Sequence, residues 1–532
     1  MKMIIVCFAI IALVSGANAA DTNRSNKAKD KRFLISNIDI RSLPAYPQND
    51  LTLEKIQHTY KRSRNQFGEA VTLDELYVVV DDLGKLYRDY GYKFHSVFLP
   101  HQKLKDNKNA RISILVARLG DVNVRGGDKG LNQELKRLFN PVLGKPLYQP
   151  NVDKIVLGIK AKYGIEVFPY YSRGSERGEV RLNIKATRSS RWVGSFSADN
   201  FGNDSTGKDR VTAVVTNYDL LGNLDSLSMG ILKAVDGKEN TYGFINYDTP
   251  VYSLDHTLSL SASNNQFDVE GGFESLGLEG DASLFGVQYS YDLSRSFDLQ
   301  QRISAGVNYK KNTYDSLFNE PLLERDETSR TASLSWSLNY RPIASSWSYG
   351  VYIGVVGGNY EIEGLEQETD FYKGVLSQQF QWGIGDSQSW WFSSLKWSLK
   401  GQYSEEKLSS FELLPMSGAY GVRNVDSGYF GADRGGLAHL EWWLPNLVSS
   451  FSNVKVTPFV YYDLAYGERL TLNDTFVSRA LLGGSGVGLQ TTYNKHFILS
   501  VSAALSSNHD VGLNPEPEQT DFLVKLNYVI PH

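Results

Sequence analysis

Thr331–Tyr340 reads TASLSWSLNY. On a strand, Ala332, Leu334, Trp336, Leu338 and Tyr340 fall on one face and Ser333, Ser335, Ser337 and Asn339 on the other. One face suits lipid and the other water, the pattern of a transmembrane β-barrel strand. The register recurs at Leu258, Leu260 and Ala262 against Ser259, Ser261 and Ser263, and at Ala438, Leu440, Trp442 and Leu444 against His439 and Glu441. Residues 186–532 form a train of such segments that divides into about 16 antiparallel strands, an even number as expected of bacterial barrels. About eleven precede Arg423, the last at Leu395–Tyr403, and the next runs over Asp433–Leu444. The connection between them, 404–431, is far longer than a hairpin turn.

A soluble sandwich also alternates, so the chain ends carry the membrane argument. Met1 and Lys2 precede an apolar run from Met3 to Val14 and an Ala17-Asn18-Ala19 cleavage site, which predicts a signal peptide over 1–19 and export. No later run holds the roughly 18 apolar residues of a membrane helix, so an exported chain with a membrane role has to span as a barrel. Cys7 is the only cysteine, and its loss with the signal excludes disulfides and thiol chemistry. The 31 Tyr, 25 Phe and 9 Trp suit aromatic girdles, and a net charge of -4 offers no nucleic-acid footprint. Basic residues between Arg24 and Arg32 read as a flexible leader over 20–32. At the other end Phe522, Val524, Leu526, Tyr528 and Ile530 make an outward stripe, as expected of a closing strand that the barrel-insertion machinery reads.

Residues 33–187 have a different texture. Leu73, Leu76, Val80, Leu83 and Tyr87 alternate spacings of three and four, the stripe of a helix buried on one side, and Tyr90-Gly91 supplies a glycine stop. The order helix, Tyr90-Gly91-Tyr92, strand, Arg111-Ile112-Ser113-Ile114 is echoed by helix, Tyr163-Gly164-Ile165, strand, Arg181-Leu182-Asn183-Ile184. Each unit starts with a strand, Phe33–Ile40 and then Leu119–Arg125, so the repeated order is strand, helix, helix, strand, strand.

That order resembles the polypeptide-transport-associated (POTRA) domain, and two such α+β domains before a barrel resemble the outer-membrane transporters of two-partner secretion, the hemolysin secretion/activation type. The expected division is POTRA 1 over 33–118, POTRA 2 over 119–187 and the barrel over 188–532, with loop 404–431 folded inward. Asp199-Asn200-Phe201-Gly202, Thr206-Gly207 and Arg210 are similar to the family's first-hairpin signature, and Asn217, Leu221-Gly222 and Asp225-Ser226-Leu227 match its continuation loosely. Gly421-Val422-Arg423-Asn424 resembles the tip of the inward loop, with Asn424 in place of the usual glycine. Pro458–Asp463 resembles the strand carrying the aspartate that receives that arginine, and in the family the inward loop also joins strands eleven and twelve.

Period 2 alone puts Asp463 with Phe459 and Tyr461, opposite Val460 and Tyr462, and a charge on the lipid face costs roughly 2–4 kcal/mol, so Asp463 is expected in the lumen. Arg423 can form a bidentate pair with it, fixing direction as well as attraction. Gly484, Gly486 and Gly488 share one face of the strand ending at Tyr493, which leaves room for an inserted loop if that face is lumenal.

Each reading has a plainer rival. Arg423 would otherwise be a solvated loop arginine, and Asp199 and Asn200 would be ordinary turn residues. His439 and Glu441 could be imagined as metal ligands, but two scattered groups are too few, and a polar lumen wall explains them. No nucleophile elbow or phosphate loop occurs, so neither catalysis nor a cofactor or metal is expected.

The resemblance implies a Gram-negative outer-membrane transporter with its POTRA domains in the periplasm. It would capture an unfolded exported client and secrete it through the barrel. The expected partners are that client, outer-membrane lipid and the insertion machinery. Client contact is expected along the strand edge at Ile165, Val167 and Tyr170, since Val152–Lys162 offers few helical anchors. The alternatives are a membrane-protein assembly factor (insertase) and a diffusion porin; a surface adhesin would need display domains that are not visible.

Overall fold

The computed structural model describes residues 33–530 apart from 35–36, 41–42, 69, 103–108, 163, 270–277, 316–324, 364–366, 387–388, 390, 448–452, 471–476 and 513–515. The expected signal and leader, 1–19 and 20–32, lie outside the described residues, as does Tyr163. Two compact units divide the chain. One contains the described residues up to Asn123 with Phe139–Val152 and Pro169–Ile184; the other contains Val124–Leu138, Asp153–Phe168 and Lys185–His532.

The first repeat carries helices α1 (Leu53–Arg64) and α2 (Leu73–Asp89). Thr72 and Glu75 close a capping box at the start of α2, satisfying two backbone N–H groups that a helix start leaves open. Leu76, Val80, Leu83 and Tyr87 are buried on one face, and Val79 joins them. The chain leaves the helix through Gly91 at φ 87°, a left-handed turn that favours glycine. The expected first strand is two pieces with different partners. Phe33–Leu34 runs antiparallel to Ala70–Val71, whereas Asn37–Asp39 runs parallel to Asn109–Arg111. A change of partner is invisible to local alternation.

The second repeat runs strand Arg118–Arg125, α3 (Lys129–Arg137), α4 (Gln149–Lys160) and strands Ile165–Arg173 and Glu179–Arg188. Asp128 caps α3 by accepting from Leu131 N at 2.9 Å. Strand 179–188 lies in the middle of the three-stranded sheet, leaving 165–173 at an edge.

From Trp192 onward, 16 antiparallel strands close into a barrel. They are β1 (Trp192–Asp199), β2 (Arg210–Tyr218), β3 (Ser226–Ala234), β4 (Asn240–Val251), β5 (Ser253–Val269), β6 (Leu278–Arg295), β7 (Leu299–Asp315) and β8 (Arg325–Tyr340). The second half holds β9 (Trp347–Ile362), β10 (Gln367–Ile384), β11 (Ser393–Ser404), β12 (Arg434–Trp443), β13 (Val454–Leu470), β14 (Val477–Tyr493), β15 (Phe497–Asp510) and β16 (Phe522–Val529). Closure pairs β1 with β16, from Ser195 opposite Val529 to Asp199 opposite Lys525. Several strands exceed the roughly 9–11 residues that cross a bilayer and extend past it, β6 and β10 having 18 residues each. Among the described residues no helix is long and apolar enough to cross a membrane.

The end of the barrel at which β1 begins has short turns, such as Tyr252 between β4 and β5 and Asn494–His496 between β14 and β15. Short turns mark the periplasmic side and long loops the outside.

Candidate functional site: the loop inside the barrel

Between β11 and β12 the chain turns into the lumen. Carboxylates pin its upper limbs. Asp433 is fully buried and accepts from Leu408 N and Leu470 N, each at 2.7 Å. Glu412 lies between Lys310 and Lys373 Nζ, the latter at 2.8 Å, and both oxygens of Glu327 accept from Ser410 at 2.9 Å. A buried cation or carboxylate is tolerated when paired and hydrogen-bonded. None of these anchors is signalled by the sequence, because each joins residues far apart in the chain.

The tip is a tight reversal. Gly418 N donates to Val425 O at 2.9 Å and Val422 N to Met416 O at 2.9 Å. A Cβ on Gly421 would sit 2.4 Å from the Met416 carbonyl carbon and the Ser417 nitrogen, so only glycine fits there. Val422 is fully buried in an apolar cluster with Met416, Val425, Phe430 and Leu482.

Arg423 and Asp463 meet. Nε donates to Oδ2 at 2.8 Å and Nη2 to Oδ1 at 2.7 Å, a bidentate fork, and Arg423 N adds a third bond to Oδ2 at 3.2 Å. Asp463 is fully buried beside Phe459, Tyr461 and Ala465, while Val460, Tyr462 and Leu464 face outward. Two further groups join. His439, directly across the ladder from Asp463, places Nδ1 2.8 Å from Oδ1, and Glu441 Oε1 accepts from Arg423 Nη1 at 2.8 Å. The guanidinium also lies 3.9 Å from the centroid of the Tyr461 ring. His439 and Glu441 thus face the lumen but are more than wall: one orients the acceptor and the other shares the cation. Their period-2 spacing on β12 was legible; the register against β13 was not.

Gly484 lies directly under Asn424, where a Cβ would be 2.6 Å from Asn424 Oδ1. Gly486 and Gly488 leave room instead for the rings of Tyr461 and Phe459 on β13. A lumenal cavity of about 720 Å³ reaches from the short-turn end, where Phe297 and Arg341 line it, to Tyr420, Arg423, His439 and Glu441. The loop tip is its roof.

The first-hairpin residues have distinct contacts. Asp199 Oδ1 accepts from Arg210 Nε at 2.9 Å and Nη2 at 2.7 Å and from Phe201 N at 3.1 Å. Asn200 reaches over the seam, donating to Phe522 O at 2.9 Å and accepting from Val524 N at 2.8 Å, which adds a side-chain rung to the ladder that closes the barrel. A Cβ on Gly202 would collide with Gly207 O, and Gly207 has φ 109°. Thr206 donates to Asn203 Oδ1 at 3.0 Å within the turn. The inward loop also touches this hairpin, since Ser427 Oγ donates to Phe201 O at 3.1 Å. Nearby, Asp204, Asp426 and Glu518 gather their carboxylates, with Lys208 Nζ at 3.5 Å from Asp204 and 3.8 Å from Asp426 supplying a counter-charge.

On the edge strand 165–173, Ile165 and Val167 are buried, so their side chains are not available to a partner and only their backbone is. Phe168 and Tyr170 are exposed. The alternation within Ile165–Tyr171 carries that split, and an edge contact at Ile165 and Val167 would run through the backbone.

Comparison with known proteins agrees with this architecture. The heme/hemopexin transporter protein HuxB of Haemophilus influenzae (strain 86-028NP) is 20% identical over 484 residues, covering 87% of this chain and 82% of the relative. The hemolysin transporter protein HpmB of Proteus mirabilis is 21% identical over 475 residues, covering 85% and 80%. Among solved structures, CdiB from Escherichia coli shares the fold with a TM-score of 0.74 at 18% identity, covering 97% of this chain and 93% of that one. CdiB from Acinetobacter baumannii gives 0.69 at 16% identity, covering 94% and 90%. Residues 178–491 match the profile of the haemolysin secretion/activation proteins, and the chain, an outer-membrane barrel preceded by POTRA domains, belongs to that family, ShlB/FhaC/HecB.

Proposed function

We propose that this chain takes an unfolded exported polypeptide from the periplasm and secretes it through its barrel, with loop 404–431 as a plug that has to shift. The observation that carries the plug reading is the tip of that loop, held inside the lumen by the Arg423–Asp463 fork and roofing a cavity open to the short-turn end. A chain entering from the periplasm meets Tyr420 and Arg423 before it meets the outside. Contacts of this kind break and re-form without covalent chemistry. The relatives named for transport of hemolysin and of heme/hemopexin support a secreted protein as the client class.

Capture is assigned to the POTRA domains, divided at 33–118 and 119–187. Strand 165–173 is an edge, and an extended client can add to its backbone with little demand on sequence. Phe168 and Tyr170 supply apolar contact beside that edge. The client then displaces the tip, threads the lumen and folds outside, which supplies direction.

The test is secreted client per inserted barrel for the whole chain and for chains lacking 33–118 or 119–187. Secretion should be abolished while the barrels remain heat-modifiable and conduct ions. Normal export by either shortened chain overturns capture by the repeats.

A further inference from the structure

The plug tip has a second anchor that carries no charge. Asn424 is fully buried, and its Nδ2 donates to Ser485 O on β14 at 3.0 Å and to Ser506 O on β15 at 2.8 Å. Its Oδ1 accepts from Tyr461 Oη on β13 at 3.1 Å, and its backbone carbonyl accepts from Thr520 N at 3.1 Å, just ahead of β16. One residue therefore ties the tip to three consecutive strands and to the approach of a fourth.

The socket is formed by the wall. Ser485 pairs with Ser506, but the next residue, Gly486, pairs with Ala504, so Leu505 is skipped in a β-bulge. A bulge disrupts the ladder locally, and here the carbonyls of its last regular pair, Ser485 and Ser506, accept from the loop. Gly484 completes the socket: a Cβ there would lie 2.6–3.0 Å from Asn424 Oδ1, Cγ and Cβ, overlapping the amide. A buried amide with both hydrogens and its oxygen engaged is costly to pull out unless water replaces every partner.

We infer that Asn424 is a positioning residue for the plug, a neutral latch seated in the bulge of β14 and β15 that holds the tip in addition to the Arg423 charge cluster. It rests on the plug reading above and adds to it. Tyr461 couples the two anchors, since its ring faces the Arg423 guanidinium and its hydroxyl donates to Asn424. A glycine at 424 leaves the charge cluster intact and the socket empty.

The experiment places a thiol on the wall under the loop, Leu482→Cys, in the full-length chain in outer membranes. Leu482 is fully buried against the tip, and the only native cysteine is Cys7. The readout is the labelling rate with a small impermeant methanethiosulfonate per heat-modifiable barrel, repeated with Ala480→Cys so that no result depends on one reporter. Asn424→Gly should label about tenfold faster, and Tyr461→Phe, which keeps the ring and loses the hydroxyl, about threefold faster. Gly484→Ala should match Asn424→Gly when Asn424 is present and have no effect when residue 424 is glycine. Wild-type labelling by Asn424→Gly, or a Gly484→Ala effect equal in both backgrounds, overturns the latch. Faster labelling with unchanged conductance and secretion supports the latch and overturns the plug instead.

Discussion

Asp463→Ala is the sharpest perturbation of the plug. The carboxylate is fully buried and accepts four bonds, three from Arg423 and one from His439. Its removal leaves the guanidinium with Glu441 and the face of Tyr461. Breaking a buried pair by deleting one partner costs about 3–5 kcal/mol, and the surviving Glu441 contact argues for the lower end. At about 3 kcal/mol the ratio of plugged to unplugged barrels falls roughly a hundredfold. Arg423→Ala should act similarly. Glu441→Ala should cost about 1 kcal/mol, because its side chain is 22% exposed and the fork survives. The charge swap, Arg423→Asp with Asp463→Arg, should recover only part of the activity, since residue 423 would then present a carboxylate to Glu441; adding Glu441→Gln should raise the recovery. The assay is secreted client per inserted barrel together with single-channel noise. All variants should insert, because the ladder does not depend on this contact. Wild-type secretion and noise in Arg423→Ala would return that residue to a solvated loop arginine, and a Glu441→Ala defect as large as that of Asp463→Ala would refute the energetic argument.

Three further outcomes are expected. Asn200→Ala removes two bonds across the β1–β16 seam and should lower barrel stability by about 1–2 kcal/mol, read as a lower temperature for loss of the heat-modifiable form without loss of insertion; an unchanged transition would leave Asn200 as a turn residue. Crosslinkers at Glu166, Phe168 and Tyr170 should trap stalled client, and capture confined to α4 would exclude strand addition at this edge. Glu134 on α3 has its carboxyl pushed up to about 7 by burial, with Asp219 adding to the effect. Because the folded value lies above the unfolded one, the penalty is absent below about 4.5 and grows as pH rises through 7. Glu134→Gln should therefore make residues 119–187 more resistant to protease at pH 8 than at pH 5, relative to wild type; equal protection at both values would rule out this linkage.

Local pattern carried much of the fold. Alternation in segments such as Thr331–Tyr340 identifies faces because side chains on a strand point to opposite sides by covalent geometry. The stripe on α2 is legible for the same kind of reason. The long gap after β11 and the lumenal side of Asp463 also follow from spacing along one strand at a time. What spacing does not contain is the full register between strands, since a slip of two residues changes every partner and still leaves each side chain on its own face. Only the closed ladder sets His439 against Asp463, brings Glu441 to Arg423 and creates the bulge that receives Asn424. The split of Phe33–Ile40 between two partners and the Lys310–Glu412–Lys373 anchor have the same origin, for both join residues far apart in the chain. Sequence alone determined which residues face water, because that depends on a residue and its neighbours; tertiary structure decided which water-facing groups hold the loop, because that depends on how the barrel closes.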